Sequence, residues 1–242
     1  MWVAIIAALI AGLLLTVGIN SEFIQKWTPF ILLGVPVTIF VALVSIFFAV
    51  LLALLGAVGR MSRNPFINAV ASFYVSFFRG TPLILQTLFV FLALPQAGIV
   101  LDPLPTAIVA LSLNYGAYLT EIFRSGIEAV PHGQTEAAES LGMSERLAFR
   151  RIIVPQAFRI VTPAIGNDFI AMLKDSAFAS TVGVQELLWR AQTAGRPSFQ
   201  SMQTLFVAAL VYWTLTISFS FFQNRLERRM ATGDRQRLDR HA

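Results

Sequence analysis

Few residues in this 242-residue chain are equipped for chemistry. Cysteine is absent, which removes disulfides, thiolate metal sites and cysteine nucleophiles. With only two histidines, His132 and His241, and no cysteine, a catalytic or metal constellation is not expected. His132 sits in Pro131-His132-Gly133 and reads as a turn residue. No G-x-x-x-x-G-K-[ST] stretch occurs. Gly56 and Gly59 precede Arg60 without the lysine that a phosphate-cradling loop needs, so nucleotide chemistry would fall to a partner. The chain therefore reads as no enzyme, with no catalytic or metal site and no cofactor of its own. What remains are polar side chains inside apolar runs: Gln86, Asn114, Asn167 and Asp168, with Tyr115, Tyr118, Lys174 and Asp175 nearby. Such groups are costly in hydrocarbon and are binding candidates by default. The competing reading is interhelix glue, worth about 1 kcal/mol per Asn or Gln. For Asp168 both readings stand. Lys174 and Asp175 are adjacent, point in different directions, and read as structural, as do Glu121 and Arg124, a local i,i+3 pair.

The elements that would carry these groups are membrane helices. Hydrophobic residues make up 56% of the chain and charged ones 13%, against roughly 25% charged in soluble domains. Runs near the length of about 20 residues that spans a bilayer fall at 2–19, 30–58, 82–95, 104–123, 162–179 and 202–222. The fold class is thus an all-α integral membrane protein of about six helices. The first run lacks a basic flank and a clear cleavage site, and reads as a retained span rather than a signal peptide. The third is short and gains length from "FINAVASFYVSFF", expected to lie along the interface and turn at Arg79-Gly80. Thr81 is the expected N-cap after that turn, with Pro82 in the first helical turn, and Thr162-Pro163 repeats the signal.

Charge orients the spans. Arg60 and Arg63 follow the second, Arg124, Arg146, Arg150, Arg151 and Arg159 separate the fourth from the fifth, and six arginines from Arg225 to Arg240 follow the sixth. The positive-inside rule puts these segments, and both termini, in the cytoplasm. The net +5 serves topology here and implies no nucleic-acid partner. Between the fourth and fifth spans lies "EAAESLGMSERLAFRRIIVP", polar and helix-forming. Thr135 is expected to cap a helix over 136–141, Gly142 to end it, Ser144 to cap a second, and Pro155 to mark the return to the membrane. Ordered long loops tend to be functional, and this one suits docking into a groove on another protein. Arg150 and Arg151 would pair either with acids on that partner or with the anionic membrane face.

Glu136-Ala137-Ala138, Gly142, Ile152 and Pro155 resemble the EAA loop of permease subunits of bacterial ATP-binding-cassette importers, with Val154 where leucine is usual. "FFRGTPLILQTLF", "GAYLTEIFRSGIEAVPHGQTEAAESLG" and "VPQAFRIVTPAIGNDFIAMLKDSAFAST" extend the resemblance to the polar amino-acid uptake branch of the histidine, glutamine and arginine type. The departures are Ser125, Ala177 and Phe178. The resemblance implies a five-helix permease core over 29–225, with the coupling loop at 131–155, a basic cytoplasmic tail at 226–242, and an additional N-terminal helix and periplasmic loop at 1–28. It implies a bacterial inner-membrane location and an identical or paralogous second permease. It also implies two cytoplasmic ATPase subunits carrying ATP and Mg, and a periplasmic amino-acid-binding protein, with membrane lipid around the bundle. Glu136, Ala137, Ala138, Gly142, Met143 and Ser144 would then contact the ATPase. For an amino-acid substrate, Asp168 is the expected acceptor for the ammonium, with Asn167, Asn114 and Gln86 as neutral partners.

Two other readings are an ATP-independent secondary transporter or channel and a membrane scaffold. No internal repeat supports the first. The orientation is testable directly because the chain has no native cysteine. Ser140→Cys should react with an impermeant maleimide only from the cytoplasmic side, and Arg196→Cys only from outside. Labelling of position 140 in intact cells would overturn the orientation.

Overall fold

The computed structural model describes residues 20–238, with Gly12 alone before them, and side chains through residue 228. The expected first span, 2–19, otherwise lies outside the described residues, as do the side chains of the last arginines. All regular structure among the described residues is helical. Helix α1 (Ser21–Leu32) is capped by Asn20, whose side chain accepts from the Phe23 N–H at 3.0 Å. A tight turn at Leu33–Gly34 leads into α2 (Val35–Arg60). Then come α3 (Pro65–Gly80), α4 (Leu83–Leu88), α5 (Pro103–Glu128), α6 (His132–Ser140) and α7 (Glu145–Ala148). The chain closes with α8 (Val154–Asp175), α9 (Leu187–Gly195) and α10 (Ser201–Leu238).

Close packing of α2 on α5 forms the centre. Ala42, Ser45, Ala49, Ala53 and Ala57 fall three or four apart on α2 and are all buried. A stripe of small residues lets two helix backbones approach, which is how helices associate where lipid supplies no hydrophobic drive. The pair runs parallel. The Ser112 hydroxyl donates to the Ser45 carbonyl, Gly116 faces Ala49 and Leu52, Gly56 faces Thr120, and Arg60 meets Glu121 at 3.0 Å. A methyl group at Gly56 would collide with Thr120. Helix α8 runs back along α5, with Gly126 against Val161 and Tyr115 bonded to Asp175. Helix α10 runs back along α8, held by Gln223 and by the edge-on Phe169–Phe219 pair at 5.2 Å. Arg60, Arg124, the 131–153 segment and Arg225 therefore share one end of the bundle, and Glu186 and Arg196 lie at the other. The expected Glu121–Arg124 pair forms, and it widens to Arg60 and Glu128.

Among the described residues, two runs are long and apolar enough by themselves to cross a membrane, Ser21–Arg60 and Ser201–Arg228. Pro65–Gly80 and Leu83–Ala97, bent by 108° from each other, are long and apolar enough only together, as a broken span or a re-entrant loop. Helices α5 and α8 have 26 and 22 residues, about 39 and 33 Å, but polar side chains interrupt their apolar surface.

Three expected helix starts are corrected. Thr81 does not cap α4. Its hydroxyl donates back to the Phe77 carbonyl at 2.9 Å, and Pro82 forces it into extended geometry (φ −119°, ψ 147°), so Thr81 ends α3 and Pro82 occupies the cap position. Thr162-Pro163 starts nothing, because α8 runs straight through it. The Thr162 hydroxyl returns to the Phe158 carbonyl at 2.6 Å, and the proline at the helix start is Pro155. Thr135 lies inside α6, which begins three residues earlier at His132. Pro131 has no side-chain cap to offer, and its carbonyl accepts from Gln134 to open the helix.

At the end away from Arg60, Glu186 holds the chain's return. It is fully buried and accepts from the Leu188 and Trp189 N–H groups at 2.9 and 2.7 Å, capping α9, and from the Tyr212 hydroxyl at 2.6 Å. The Leu187 N–H donates to Thr38 at 3.2 Å, and Gly34 leaves room for the Leu187 backbone, where a Cβ would lie 2.6 Å from its Cα. Glu186→Ala removes the cap and takes the Glu186 acceptor from the Tyr212 hydroxyl, a loss of about 2–3 kcal/mol. Tyr212→Phe should cost about 1 kcal/mol. Thermal unfolding in detergent measures both, and an unchanged melting temperature for Glu186→Ala would refute the bracing role.

Candidate functional site: a broken helix and a polar cavity

The break between α3 and α4 creates the site. A helix end leaves carbonyls without intrahelical partners, and Pro82 brings no N–H to meet them. In hydrocarbon every such group must find a partner inside the protein. Gln86 and Asn114 supply the partners. The Gln86 amide nitrogen donates toward the Phe78 carbonyl at 2.9 Å and toward the carbonyl and hydroxyl of Thr81 at 3.0 and 2.8 Å. The Asn114 amide nitrogen reaches the same Phe78 carbonyl and the Gln86 Oε1, both at 3.1 Å. Both side chains are buried. Asn114 lies 11 residues into α5, about 17 Å from its start, so the break falls close to half-way through the bundle.

A cavity of about 360 Å³ opens beside this brace. Its polar lining includes Thr81, Asn114, Tyr115, Tyr118, Asp168 and Asp175. The two carboxylates are seven residues apart on α8, two turns up one face. Asp175 accepts from the Tyr115 hydroxyl at 2.8 Å. One oxygen of Asp168 is buried without a hydrogen-bond partner. The Arg79 guanidinium stacks on the Tyr118 ring, 5.2 Å from its centroid. The cavity thus presents carboxylate acceptors, amide and phenol groups and an aromatic face: a set that can hold a small polar cation or zwitterion.

Of the four residues singled out for this role, the structure gathers two at the wall, Asp168 and Asn114. Gln86 backs Asn114 from behind. Asn167 turns away, its Oδ1 accepting from Gln223 on α10 at 3.0 Å, and Gln223 also reaches the Pro163 carbonyl. Asp175, read from sequence as structural, lines the cavity, while Lys174 is exposed. The seven-residue interval from Asp168 to Asp175 was the signal for that, since one helical face carries both.

At the Arg60 end stands the polar elbow. Gly142 takes φ +76°, its N–H bonds the Glu139 carbonyl at 2.8 Å, and the Met143 N–H bonds the Ala138 carbonyl at 3.0 Å. These two bonds form a Schellman motif, which needs a residue that accepts left-handed geometry. Ser144 holds the N-cap position of α7 in extended geometry, but its side chain makes no capping bond there. Its carbonyl accepts from Leu147 and Ala148 instead. Ala138 is buried, whereas Glu136, Ala137, Glu139 and Leu141 project, Leu141 with 83% of its surface exposed. The elbow is anchored rather than free. Gln156 on α8 donates to Gln134 at 3.3 Å, and Val130, Ile153 and Ala157 form a small core beneath it. From Glu145 the chain stays helical through a wide turn at Phe149–Ile153 into α8.

The family model for the binding-protein-dependent transport system inner membrane component matches residues 45–232. The chain belongs to this family. It is 39% identical over 207 residues to the L-cystine transport system permease protein TcyB of Bacillus subtilis, covering 85% of this chain and 88% of that protein. It is 38% identical to the arginine transport system permease protein ArtQ of the same organism, covering 85% and 94%. A crystal structure of an amino acid ABC transporter with histidines superposes with a TM-score of 0.84 at 36% identity, over 88% of this chain and 99% of that one. An inward-facing structure of the MetNI methionine ABC transporter, at 20% identity and a TM-score of 0.68, shares the fold. As an inner membrane component of this family the chain is a transport permease subunit, and the matched segment includes the break, the cavity and the elbow.

In this permease subunit Asn114→Leu leaves Gln86 and the Phe78 carbonyl short of partners, a destabilisation of about 2–3 kcal/mol that thermal unfolding would register. Asp168→Asn keeps the shape and removes the charge. It should cut uptake by reconstituted transporter while leaving yield and melting temperature near those of the parent. Uptake with unchanged kinetics would remove Asp168 from the site.

Proposed function

We propose that this chain is the transmembrane subunit of an ATP-driven amino-acid importer, with the mid-bundle cavity on the translocation pathway and the elbow as the mechanical link to a cytoplasmic ATPase. The observation that carries the reading is the joining of the two by one uninterrupted helical run, residues 145–175, which starts at the elbow and carries Asp168 and Asp175 on the cavity wall. An amino acid offers an ammonium group that suits those carboxylates, and the relatives named for cystine and arginine transport support the class. In this reading a second permease subunit, identical or paralogous, completes the pathway. Two ATPase subunits bind ATP and Mg, and a periplasmic protein delivers the substrate. Residues 131–155 dock on the ATPase through Glu136, Ala137, Ala138, Gly142, Met143 and Ser144. The core occupies 29–225 and the basic tail 226–242. Six spans, counting the one at 2–19, leave both termini in the cytoplasm.

The elbow gives a specific test. Proline cannot adopt the φ of Gly142 and deletes the N–H that bonds Glu139. Gly142→Pro therefore undoes the turn that closes α6, and Glu136→Lys reverses a charge on its exposed face; both lie outside the membrane helices and should leave insertion and yield intact. In proteoliposomes containing the full complex they should abolish uptake coupled to ATP hydrolysis. Parental stimulation of ATPase activity by substrate-loaded binding protein would overturn the coupling role. Uptake without ATP or a copurifying ATPase would point to a secondary transporter instead.

A further inference from the structure

A second cavity, about 540 Å³, lies at the Arg60 end of the bundle. Its walls come from Leu54 and Val58 on α2, Phe123 and Ile127 on α5, and Val154 and Phe158 on α8. Phe123 is nine residues past Asn114, half a turn around α5, so this cavity opens on the face of α5 opposite the polar one. Of its lining residues only Ser62 is polar. A polar solute would find nothing there to orient it, and a hydrocarbon chain would.

The residues next to this lining in the chain have the opposite character. Arg63 follows Ser62, and Arg150 and Arg151 lie between the lining residues Phe149 and Val154. All three arginines are exposed, and none makes an ion pair or hydrogen bond among the described residues. Their neighbours Arg60 and Arg124 differ, being neutralised by Glu121 and Glu128. An apolar slot between helices, with exposed guanidinium groups one or two residues from its lining in the chain, suits an anionic amphiphile: acyl chain inside, phosphate outside.

We propose that this cavity binds an anionic phospholipid of the cytoplasmic leaflet, its acyl chain between α2, α5 and α8 and its phosphate at Arg63, Arg150 and Arg151. The proposal rests on the orientation given above, which labelling of Ser140→Cys tests independently. A soluble protein partner fits less well, because Leu54 and Val58 belong to the apolar run of α2. The bound lipid fills the gap between α2 and the foot of α8, the helix that links elbow and cavity.

The test uses the full chain in nanodiscs of mixed phosphatidylglycerol and phosphatidylcholine, with either lipid doped in as a probe carrying a diazirine on its acyl chain. Adducts are mapped by mass spectrometry. The phosphatidylglycerol probe should label residues 54–62 and 149–161 several-fold more than the phosphatidylcholine probe. Each of Arg63→Gln, Arg150→Gln and Arg151→Gln should lower that labelling about fivefold. Val58→Trp, at an exposed rim position, should block labelling by both probes. Equal labelling by the two probes, arginine variants that label like the parent, or adducts spread evenly over the exposed apolar faces around Phe47, Phe73 and Phe221 would overturn the proposal. So would a photoreactive residue at Val58 that crosslinks to a second copy of the chain rather than to lipid.

Discussion

The structure depends on a backbone problem solved by two amides. A helix that stops half-way across a bilayer exposes carbonyls where no water can reach them, and such groups cost several kcal/mol each if left alone. Gln86 and Asn114 meet the carbonyls of Phe78 and Thr81 and also bond each other. With that account closed, the chain can turn through 108° inside the bundle and leave open space beside the turn. The polar cavity is a by-product of the break, and the break persists because these two side chains tie α3 and α4 to the middle of α5.

Packing elsewhere keeps that middle fixed. Small residues let α2 and α5 approach until glycine and alanine face each other's neighbours, which settles their register without any large side chain. The Arg60–Glu121–Arg124–Glu128 chain of charges closes one end, and Glu186 with Tyr212 and Thr38 closes the other. The bracing ion pairs sit at one end and the bracing amides at the centre, beside the cavity that also holds Asp168 and Asp175. Desolvating an ion costs more than desolvating an amide, which favours amides as the brace of the broken helix.

Much of this was legible in the sequence. The oily runs, the charged elbow, the glycine that closes it and the membrane-buried polar side chains all follow from residue type and spacing. The helix starts were less legible. Thr81-Pro82 and Thr162-Pro163 look alike on paper, yet the first ends a helix and the second lies inside one. A threonine hydroxyl can bond forward to cap a new helix or back to the old one, and only tertiary contacts decide which. The site was half readable for a related reason. Asn167 and Asp168 are neighbours in sequence, but one helical step of 100° sends the first to Gln223 and the second to the cavity. Asp175 was missed because its adjacency to Lys174 drew more notice than its two-turn interval from Asp168.

The wide turn at Phe149–Ile153 leaves the helical rod from Glu145 to Asp175 unbroken while shifting its phase where it leaves the elbow. Pro163 removes one rung of the rod's hydrogen-bond ladder, but the helix stays continuous and carries movement from its foot toward its tip. A tilt of roughly 10° about its foot would carry the far end of α8 sideways by about 6 Å, given about 33 Å of helix. Both carboxylates ride on that arm, and Asp175, nearer the tip, would travel farther than Asp168. The hydroxyl of Tyr115, fixed to a different helix, would then be the first contact to part.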